Sequence, residues 1–378
     1  MEPINCIATT TFGLEATVKR EVAHLGFVVT SVQDGRIDFK GGMDAIPKAN
    51  LWLRSADRVL LKMGEFTALT FDELFERTKA LPWENWITED GKFTVTGKSV
   101  KSKLFSVPDC QAIVKKAVVE RLKTKYRTDW FEETGAAYTI QVALLKDVAT
   151  LTIDTSGSGL HKRGYRPEAV AAPIKETLAA AMLELSYWRK DRVLMDPFCG
   201  SGTIAIEAAM MAKNIAPGLM RKFASEDWPC IGKALWKTAR MDAYAAMDTD
   251  LKPEIYASDI DGKAVELAKH NARAAGVDDC IQFSVCDFNA LPKPPLYSVM
   301  ITNPPYGERI GDLREVQKCY KKMAILLALD NTLSLNVITS DEDFERIVAR
   351  KANARRKLFN GMIKTDYYQY HGQRPPRG

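Results

Sequence analysis

The chain has no C-x-x-C pair, and its four histidines stand far from one another. A zinc ribbon needs closely spaced thiolates or imidazoles, so no metal site is expected. The seven cysteines (Cys6, Cys110, Cys199, Cys230, Cys280, Cys286 and Cys319) are scattered and odd in number. That excludes a disulfide framework and suits reduced thiols in a cytoplasm. No apolar run reaches the roughly 18 residues of a membrane span. The opening MEPINCIATTT has neither the basic nor the apolar region of a secretory signal. The expectation is a cytoplasmic protein with no membrane partner. There is no repeat of fixed period and no low-complexity tract. What remains is 378 residues, 46% hydrophobic and 27% charged, enough for two or three domains with cores of their own.

A net charge of +5 is mildly basic and unevenly placed. Lys98, Lys101, Lys103, Lys115, Lys116, Arg121, Lys123, Lys125 and Arg127 face only Asp109 and Glu120 over the same stretch. A second cluster, LHKRGYR, holds His161, Lys162, Arg163 and Arg166. Each cluster has an aromatic beside it, Tyr126 and Tyr165. Most charge runs are solvated helix faces, and these could be no more than that. As phosphate contacts, the candidates are Lys98, Lys101, Lys103, Lys115, Lys116, Lys123, Lys125, Arg127, Lys162, Arg163 and Arg166.

Hydrophobic periodicity divides the chain. Residues 1–62 read as βαββαβ, the order of a ferredoxin-like sandwich, with an Asp34-Gly35 hairpin signal. Residues 63–155 open with Thr70 and Glu73, a T-x-x-E helix start, and continue through a strand, a basic helix from about Pro108 to Arg127, and two strands. Residues 156–170, with the Gly/Ser-rich TSGSGL, read as a linker. From 171 to 378 short apolar strands alternate with helices, which means a parallel, doubly wound α/β sheet. The tail RRKLFNGMIKTDYYQYH carries Asn360-Gly361 between two strand-like runs and predicts a closing β-hairpin.

The motif RVLMDPFCGSGTIAIEAA sets a glycine-rich turn between a strand and a helix. Gly200 and Gly202 allow close backbone approach to a ligand, and the helix from Thr203 aims its N–H groups at it. No lysine follows the glycines, so this is not a phosphate-binding Walker loop. Asp196 ends the strand, where open α/β sheets bind ligands, and an acid there suits a cationic or amino-bearing ligand. S-adenosyl-L-methionine has a sulfonium, an ammonium and no phosphate. Asp259 ends the second strand, placed for ribose hydroxyls, with Ile260 beside one adenine face. Asp287 and Phe288 end the third, placed for the adenine amine and for stacking. Each acid alone could be a helix cap; the three in order, with the turn, predict a cofactor site. Its expected members are Asp196, Phe198, Cys199, Gly200, Gly202, Thr203, Asp259, Ile260, Asp287, Phe288 and Asn303. Asp196 and Asp259 lie 63 residues apart, well beyond the roughly 20 of a simple unit. The excess, within residues 211–250, is expected to be a helical insertion bordering the active site, with Trp228 and Trp236 packing it down.

The fourth strand ends in Asn303-Pro304-Pro305-Tyr306. Two prolines remove two donors and stiffen the segment, leaving mainly acceptors. The Asn303 oxygen and the Pro304 carbonyl can accept both protons of an exocyclic amine and aim its lone pair at an electrophile. Tyr306 can stack on a base swung out of its helix. No cysteine neighbours Asn303 in sequence, and Cys199 reads as a small buried hydrophobe, so covalent pyrimidine C5 chemistry is not expected.

These motifs carry a resemblance over essentially the whole chain. DPFCGSGT and N-P-P-Y resemble amino-methylating members of the class I methyltransferase superfamily, whose seven-stranded Rossmann-like sheet ends in an antiparallel hairpin. Residues 63–155 resemble a THUMP α+β domain, a module of RNA-modifying enzymes. With NPPYGERI and KLFNGMIKTDYYQY, the chain is similar to the RlmL-like guanine-N2 methyltransferases of large-subunit ribosomal RNA. The resemblance implies an S-adenosyl-L-methionine-dependent RNA methyltransferase, with ribosomal RNA as the leading partner. A tRNA guanine-N2 enzyme, an adenine-N6 enzyme and a non-catalytic assembly factor with a relic fold stay open. So do the roles of Glu308 and Arg309, which either touch the base or order the loop, and the oligomeric state.

Overall fold

The computed structural model describes residues 3–166, 174–305 and 313–376. The chain divides into two compact units. The first holds Lys19–Leu160 with Arg221–Asp242 and the N-terminal ten residues; the second holds Thr11–Val18, His161–Met220 and Ala243–Gly378.

The first unit contains β1 (Ile4–Thr9), β2 (Val28–Gln33), β3 (Arg36–Gly41), β4 (Arg58–Thr67), β5 (Lys92–Val100), β6 (Ala137–Leu145) and β7 (Val148–Asp154). Its helices are α2 (Ala45–Trp52), α3 (Phe71–Lys79) and α4 (Val107–Tyr126), and α1 (Glu15–His24) lies across the division between units. The ferredoxin-like and THUMP-like halves form one sheet, ordered β2-β3-β1-β4-β7-β6-β5. The ten-residue β4 joins them, pairing with β1 through Arg58–Leu61 and with β7 from Leu60 onward. The expected boundary at residue 62 therefore falls inside a strand shared by both halves. Thr70 caps α3 as predicted, accepting the Glu73 N–H at 3.2 Å, while the Glu73 carboxylate takes the Leu69 N–H at 2.7 Å.

The Gly/Ser-rich stretch is pinned rather than loose. Ser156 Oγ donates to Asn50 Oδ1 at 2.6 Å and accepts from the Val59 N–H at 2.8 Å. Arg221 closes the next turn, donating to the carbonyls of Ser158 and Gly159. Short polar residues here satisfy buried backbone groups, a use that composition alone cannot separate from flexibility.

The second unit contains β8 (Leu194–Asp196), β9 (Ile255–Asp259), β10 (Ile281–Val285), β11 (Val299–Thr302), β12 (Ser334–Thr339), β13 (Ala354–Asn360) and β14 (Ile363–Tyr370). Its helices are α5 (Glu176–Leu185), α6 (Thr203–Ala212), α8 (Gly262–Ala274), α9 (Leu313–Leu329) and α10 (Phe344–Val348); α7 (Lys233–Ala245) crosses the division. The sheet runs β10-β9-β8-β11-β12-β14-β13, parallel through the first five and antiparallel in the last two. This is the expected seven-stranded α/β sheet with its closing hairpin. β11 and β12 are buried at every position, because helices cover both faces of a parallel sheet. The hairpin turn is Gly361-Met362, one residue later than the Asn360-Gly361 signal suggests, since Asn360 pairs with Ile363. Gly361 has φ +64° at the first turn position, which a type II′ turn reserves for glycine.

Candidate functional site

In the second unit the strand order reverses at β8, whose neighbours are β9 and β11. Diverging connections leave a crevice beyond the carboxyl ends of these strands. A cavity of about 450 Å³ lies there, within the usual range for small-ligand sites. Thr302 at the end of β11 donates to Asp196 Oδ1 at 2.9 Å, tying the two strand ends together across the reversal.

Asp196, Phe198, Cys199, Gly200, Thr203, Asp259, Ile260, Asp287, Phe288 and Asn303 all line this cavity, brought together from four strand ends and the α6 N-terminus. Pro305 lines it too, whereas Gly202 and Pro304 are not on its surface. Tyr306, Glu308 and Arg309 lie outside the described residues. Gly202 has φ +81°, and a Cβ there would stand 2.9 Å from the Ala268 Cβ. Its glycine serves the turn and the packing of α6 on α8, rather than direct contact.

The acids differ in state. Asp196 is fully buried and, among the described residues, accepts only the Thr302 hydroxyl and a long 3.4 Å bond from the Phe198 N–H. Burial pushes its carboxyl up to about 7. Asp259 is held by backbone: the Gly200 N–H donates to Oδ2 at 2.9 Å and the Asp261 N–H to Oδ1 at 3.0 Å. Asp287 caps the short turn Phe288–Ala290, its Oδ1 accepting from the Asn289 N–H and side-chain amide. Ile260 is 70% exposed, an open apolar ledge. Phe288, expected to serve for stacking, is buried against Phe198, with ring centroids 5.0 Å apart, and forms part of the cavity wall. Among the described residues, no lysine, arginine or histidine lines the cavity. Acids without cations repel a pyrophosphate and fit a ligand bearing ammonium and sulfonium groups.

Asn303 adds the decisive feature. Its Oδ1 is buried and accepts no hydrogen bond among the described residues. Leaving such an acceptor unpaired costs about 1–3 kcal/mol, so it calls for a donor from elsewhere.

Further lining residues escaped the sequence reading, among them Ile174, Asn289, Glu315, Val316 and Cys319. The last three sit on α9 and reach the cavity only through the packing of that helix, so no local pattern marked them. Two thiols, Cys199 and Cys319, thus border the cavity, the second carried there by α9. Burial pushes both thiols up, which keeps them protonated and poor as nucleophiles.

Two expected RNA contacts need correction. Arg163 is only 2% exposed; its guanidinium pairs with buried Glu207 at 3.3 Å, and the Tyr165 hydroxyl donates to the same carboxylate at 3.2 Å. Arg166 pairs with Glu176 at 2.7 Å and donates to Thr203 Oγ1 at 3.0 Å. Both cations serve the unit's interior. Lys162 is exposed, as are Lys98, Lys101, Lys103, Lys115, Lys116, Lys125 and Arg127, while Lys123 is half-buried. α4 is 20 residues, about 30 Å, long, with Lys101 and Lys103 before its start and Lys123, Lys125 and Arg127 at its end.

The insertion is the third correction. None of residues 211–250 lines the cavity, and Arg221–Asp242 belongs to the first unit. There Trp228 lies on Tyr138 with centroids 4.9 Å apart and donates to the Ala137 carbonyl at 3.1 Å. Trp236 stacks on Phe223 at 5.2 Å. The tryptophans do pack the segment down, but against β6 and its own aromatics rather than at the site.

The raised Asp196 carboxyl has a measurable consequence. An ammonium-bearing ligand favours the ionised acid, which predominates above pH 7. Affinity for S-adenosylhomocysteine should therefore weaken by up to about tenfold per unit below pH 7 and level off above it. Asp196→Asn should flatten that profile in a calorimetric titration. Without ligand the sign reverses: an acid raised on folding loses stability as pH climbs from about 4 towards 7, so the same variant should melt higher at pH 8.

Three family models match: the methyltransferase domain described as RMKL-like over residues 163–369, the RlmL ferredoxin-like domain over 5–60 and the THUMP domain over 68–154. The Bacillus subtilis (strain 168) protein named "Putative RNA methyltransferase YpsC" is 52% identical, over all of this chain and 98% of its own length. The ribosomal RNA large subunit methyltransferase K/L of Syntrophotalea carbinolica is 32% identical over 96% of this chain, which spans 53% of that longer protein. Among solved structures, a Listeria monocytogenes protein described as a predicted N6-adenine-specific DNA methylase is 49% identical, with TM-score 0.94 and coverage of 99% and 97%. SMU.472, solved as a complex with SAH, is 43% identical with TM-score 0.93 over the full length of both chains. Matched over its α/β half by one family model and end to end by such relatives, the chain belongs to the RMKL-like methyltransferase family.

Proposed function

We propose that this enzyme methylates the exocyclic N2 amine of a guanine in large-subunit ribosomal RNA, with S-adenosyl-L-methionine as donor. The observation that carries the reading is the buried Asn303 Oδ1 on the cavity wall, which accepts no hydrogen bond among the described residues. A primary amine is the kind of group that can satisfy it. When bound, S-adenosyl-L-methionine supplies an electrophilic methyl group. Asp259, already oriented by two backbone N–H groups, keeps lone pairs for the ribose hydroxyls. Asp287 keeps Oδ2 for the adenine amine, since Oδ1 is taken by Asn289. Ile260 offers the apolar ledge beneath the adenine. Asp196 and the α6 N-terminus serve the amino-acid end, where carboxylate and ammonium need opposite partners.

On the substrate side, Asn303 Oδ1 accepts one amine proton, and the second is assigned to the carbonyl of the adjoining Pro304, a residue that does not itself line the cavity. Holding both protons in place turns the nitrogen lone pair out of conjugation and towards the methyl group. The prolines supply the stiffness that keeps these acceptors at their posts. The protonated thiols leave no covalent route, and direct transfer requires none.

Ribosomal RNA follows from the K/L relative, and RNA from YpsC and the THUMP match. The name of the Listeria protein points instead to adenine in DNA. Among the described residues no helix is long and apolar enough to cross a membrane, and the cysteines are unpaired, which suits work on RNA in the cytoplasm. The test is nucleoside mass spectrometry of 23S ribosomal RNA from a deletion strain, then methylation of that RNA in vitro by the purified protein. Loss and restoration of N2-methylguanosine is the expected result. An unchanged guanosine profile alongside loss of N6-methyladenosine, or of a tRNA methylguanosine, would replace the substrate.

A further inference from the structure

The second unit loses Arg163 and Arg166 as RNA contacts, yet an RNA methyltransferase must hold the strand beside its pocket. The closing hairpin is placed to do so. β12 ends at Thr339, which pairs with Asp366, so β14 begins three residues beyond the carboxyl end of the parallel strands. Thr302 pairs with Val337, so Asn303 leaves β11 at the level of Ile338, across from Tyr367. Ile363 stands four residues further along β14, about 13 Å above that level at about 3.3 Å per residue. Two strand spacings separate β11 from β14, about 10 Å sideways. The turn thus rises over the same edge of the sheet that holds the cavity.

The composition of that tip is unusual for a water-exposed turn. Met362 is 96% exposed and Ile363 49%, side by side. Lys364 pairs with Phe359, and Lys357 with Asp366, so both lysines lie on one face of the ribbon, and both are exposed. Arg356 is exposed on the other face. Arg355 is different: it pairs with Asp366 at 2.7 Å and lies over the Tyr368 ring, holding the base of the ribbon. Below the tip the ribbon is anchored in the core by Tyr368 and Tyr370, and by the Tyr367 hydroxyl donating to the Met182 carbonyl at 2.8 Å. A rigid ribbon with an apolar end and cationic flanks has the makings of a nucleic-acid wedge. Apolar side chains of this kind enter between bases, while lysines meet the adjoining phosphates.

We propose that the β13–β14 tip is an RNA-binding arm: Met362 and Ile363 pack against bases unstacked beside the target nucleotide, and Lys357, Lys364 and Arg356 hold the flanking phosphates. The proposal rests on the reading of the chain as an RNA methyltransferase. Its test reads binding instead of turnover, so the two can fail separately. The full-length protein is titrated into an unmodified 23S ribosomal RNA transcript at several salt concentrations. Combined Lys357→Gln and Lys364→Gln should weaken binding about tenfold at low salt and flatten the log–log salt slope by about 1.4–1.8, two phosphate contacts. Met362→Ser should weaken binding several-fold with the slope unchanged, because it removes packing and not charge. Melting temperature and S-adenosylhomocysteine affinity should match the unchanged chain in every variant, which a folding defect would not allow. RNA affinity and slope unaltered in both variants would overturn the proposal. So would a change confined to self-association in sedimentation velocity, which would make the tip a protein contact.

Discussion

Asn303→Ala is expected to lower the rate of methyl transfer by about 10³-fold or more while changing S-adenosylhomocysteine affinity by less than about threefold. The magnitude follows from removing one preorganised polar group at a reacting centre, which typically costs 10²–10³ in kcat. Here the group also orients the nucleophile, and orientation adds its own factor. The separation of the two readouts follows from the structure. Asn303 touches the cavity at the end of β11, whereas the acids assigned to the cofactor end β8, β9 and β10. Stability should rise slightly if it changes at all, because the variant removes a buried acceptor that has no donor among the described residues. Single-turnover kinetics with saturating cofactor, paired with calorimetry, checks both halves. Turnover within tenfold of the unchanged protein would remove Asn303 from the chemistry.

Arg163→Ala is expected to destabilise the fold by about 3–5 kcal/mol, the usual cost of stranding one partner of a buried ion pair. Glu207 has no exposure at all and would keep the Tyr165 hydroxyl as a donor while losing its charged partner. Burial by itself lowers an arginine's tendency to stay charged, but Glu207 outweighs it and holds Arg163 above its ordinary value. Thermal melting would show the loss directly. The double variant Arg163→Met with Glu207→Leu should recover most of it, since neither charge is then left alone. An RNA-contacting arginine predicts the opposite pattern: an unaltered melting temperature and a shallower salt dependence of RNA binding.

Much of the architecture was legible because it is encoded locally. Apolar strands of four to six residues, a glycine turn between strand and helix, and a glycine after Asn360 all act on the nearest few residues. Their physics survives removal from the rest of the molecule. The three acids at strand ends were legible for the same reason: in a doubly wound sheet the residue that ends a strand is carried to the crevice by the fold class itself. That is why ten of the eleven expected cofactor residues line one cavity.

The sequence by itself therefore determined the α/β class, the closing hairpin and the composition of the strand ends. Tertiary structure alone decided which charges meet water, because Arg163 and Lys162 are neighbours in the chain yet one is sealed against Glu207 and the other exposed. It also decided where the insertion goes, since Trp228 finds Tyr138 about 90 residues earlier in the chain. And it left the Asn303 oxygen without a donor among the described residues, a condition that depends on every neighbour at once and that no spacing of residues can announce.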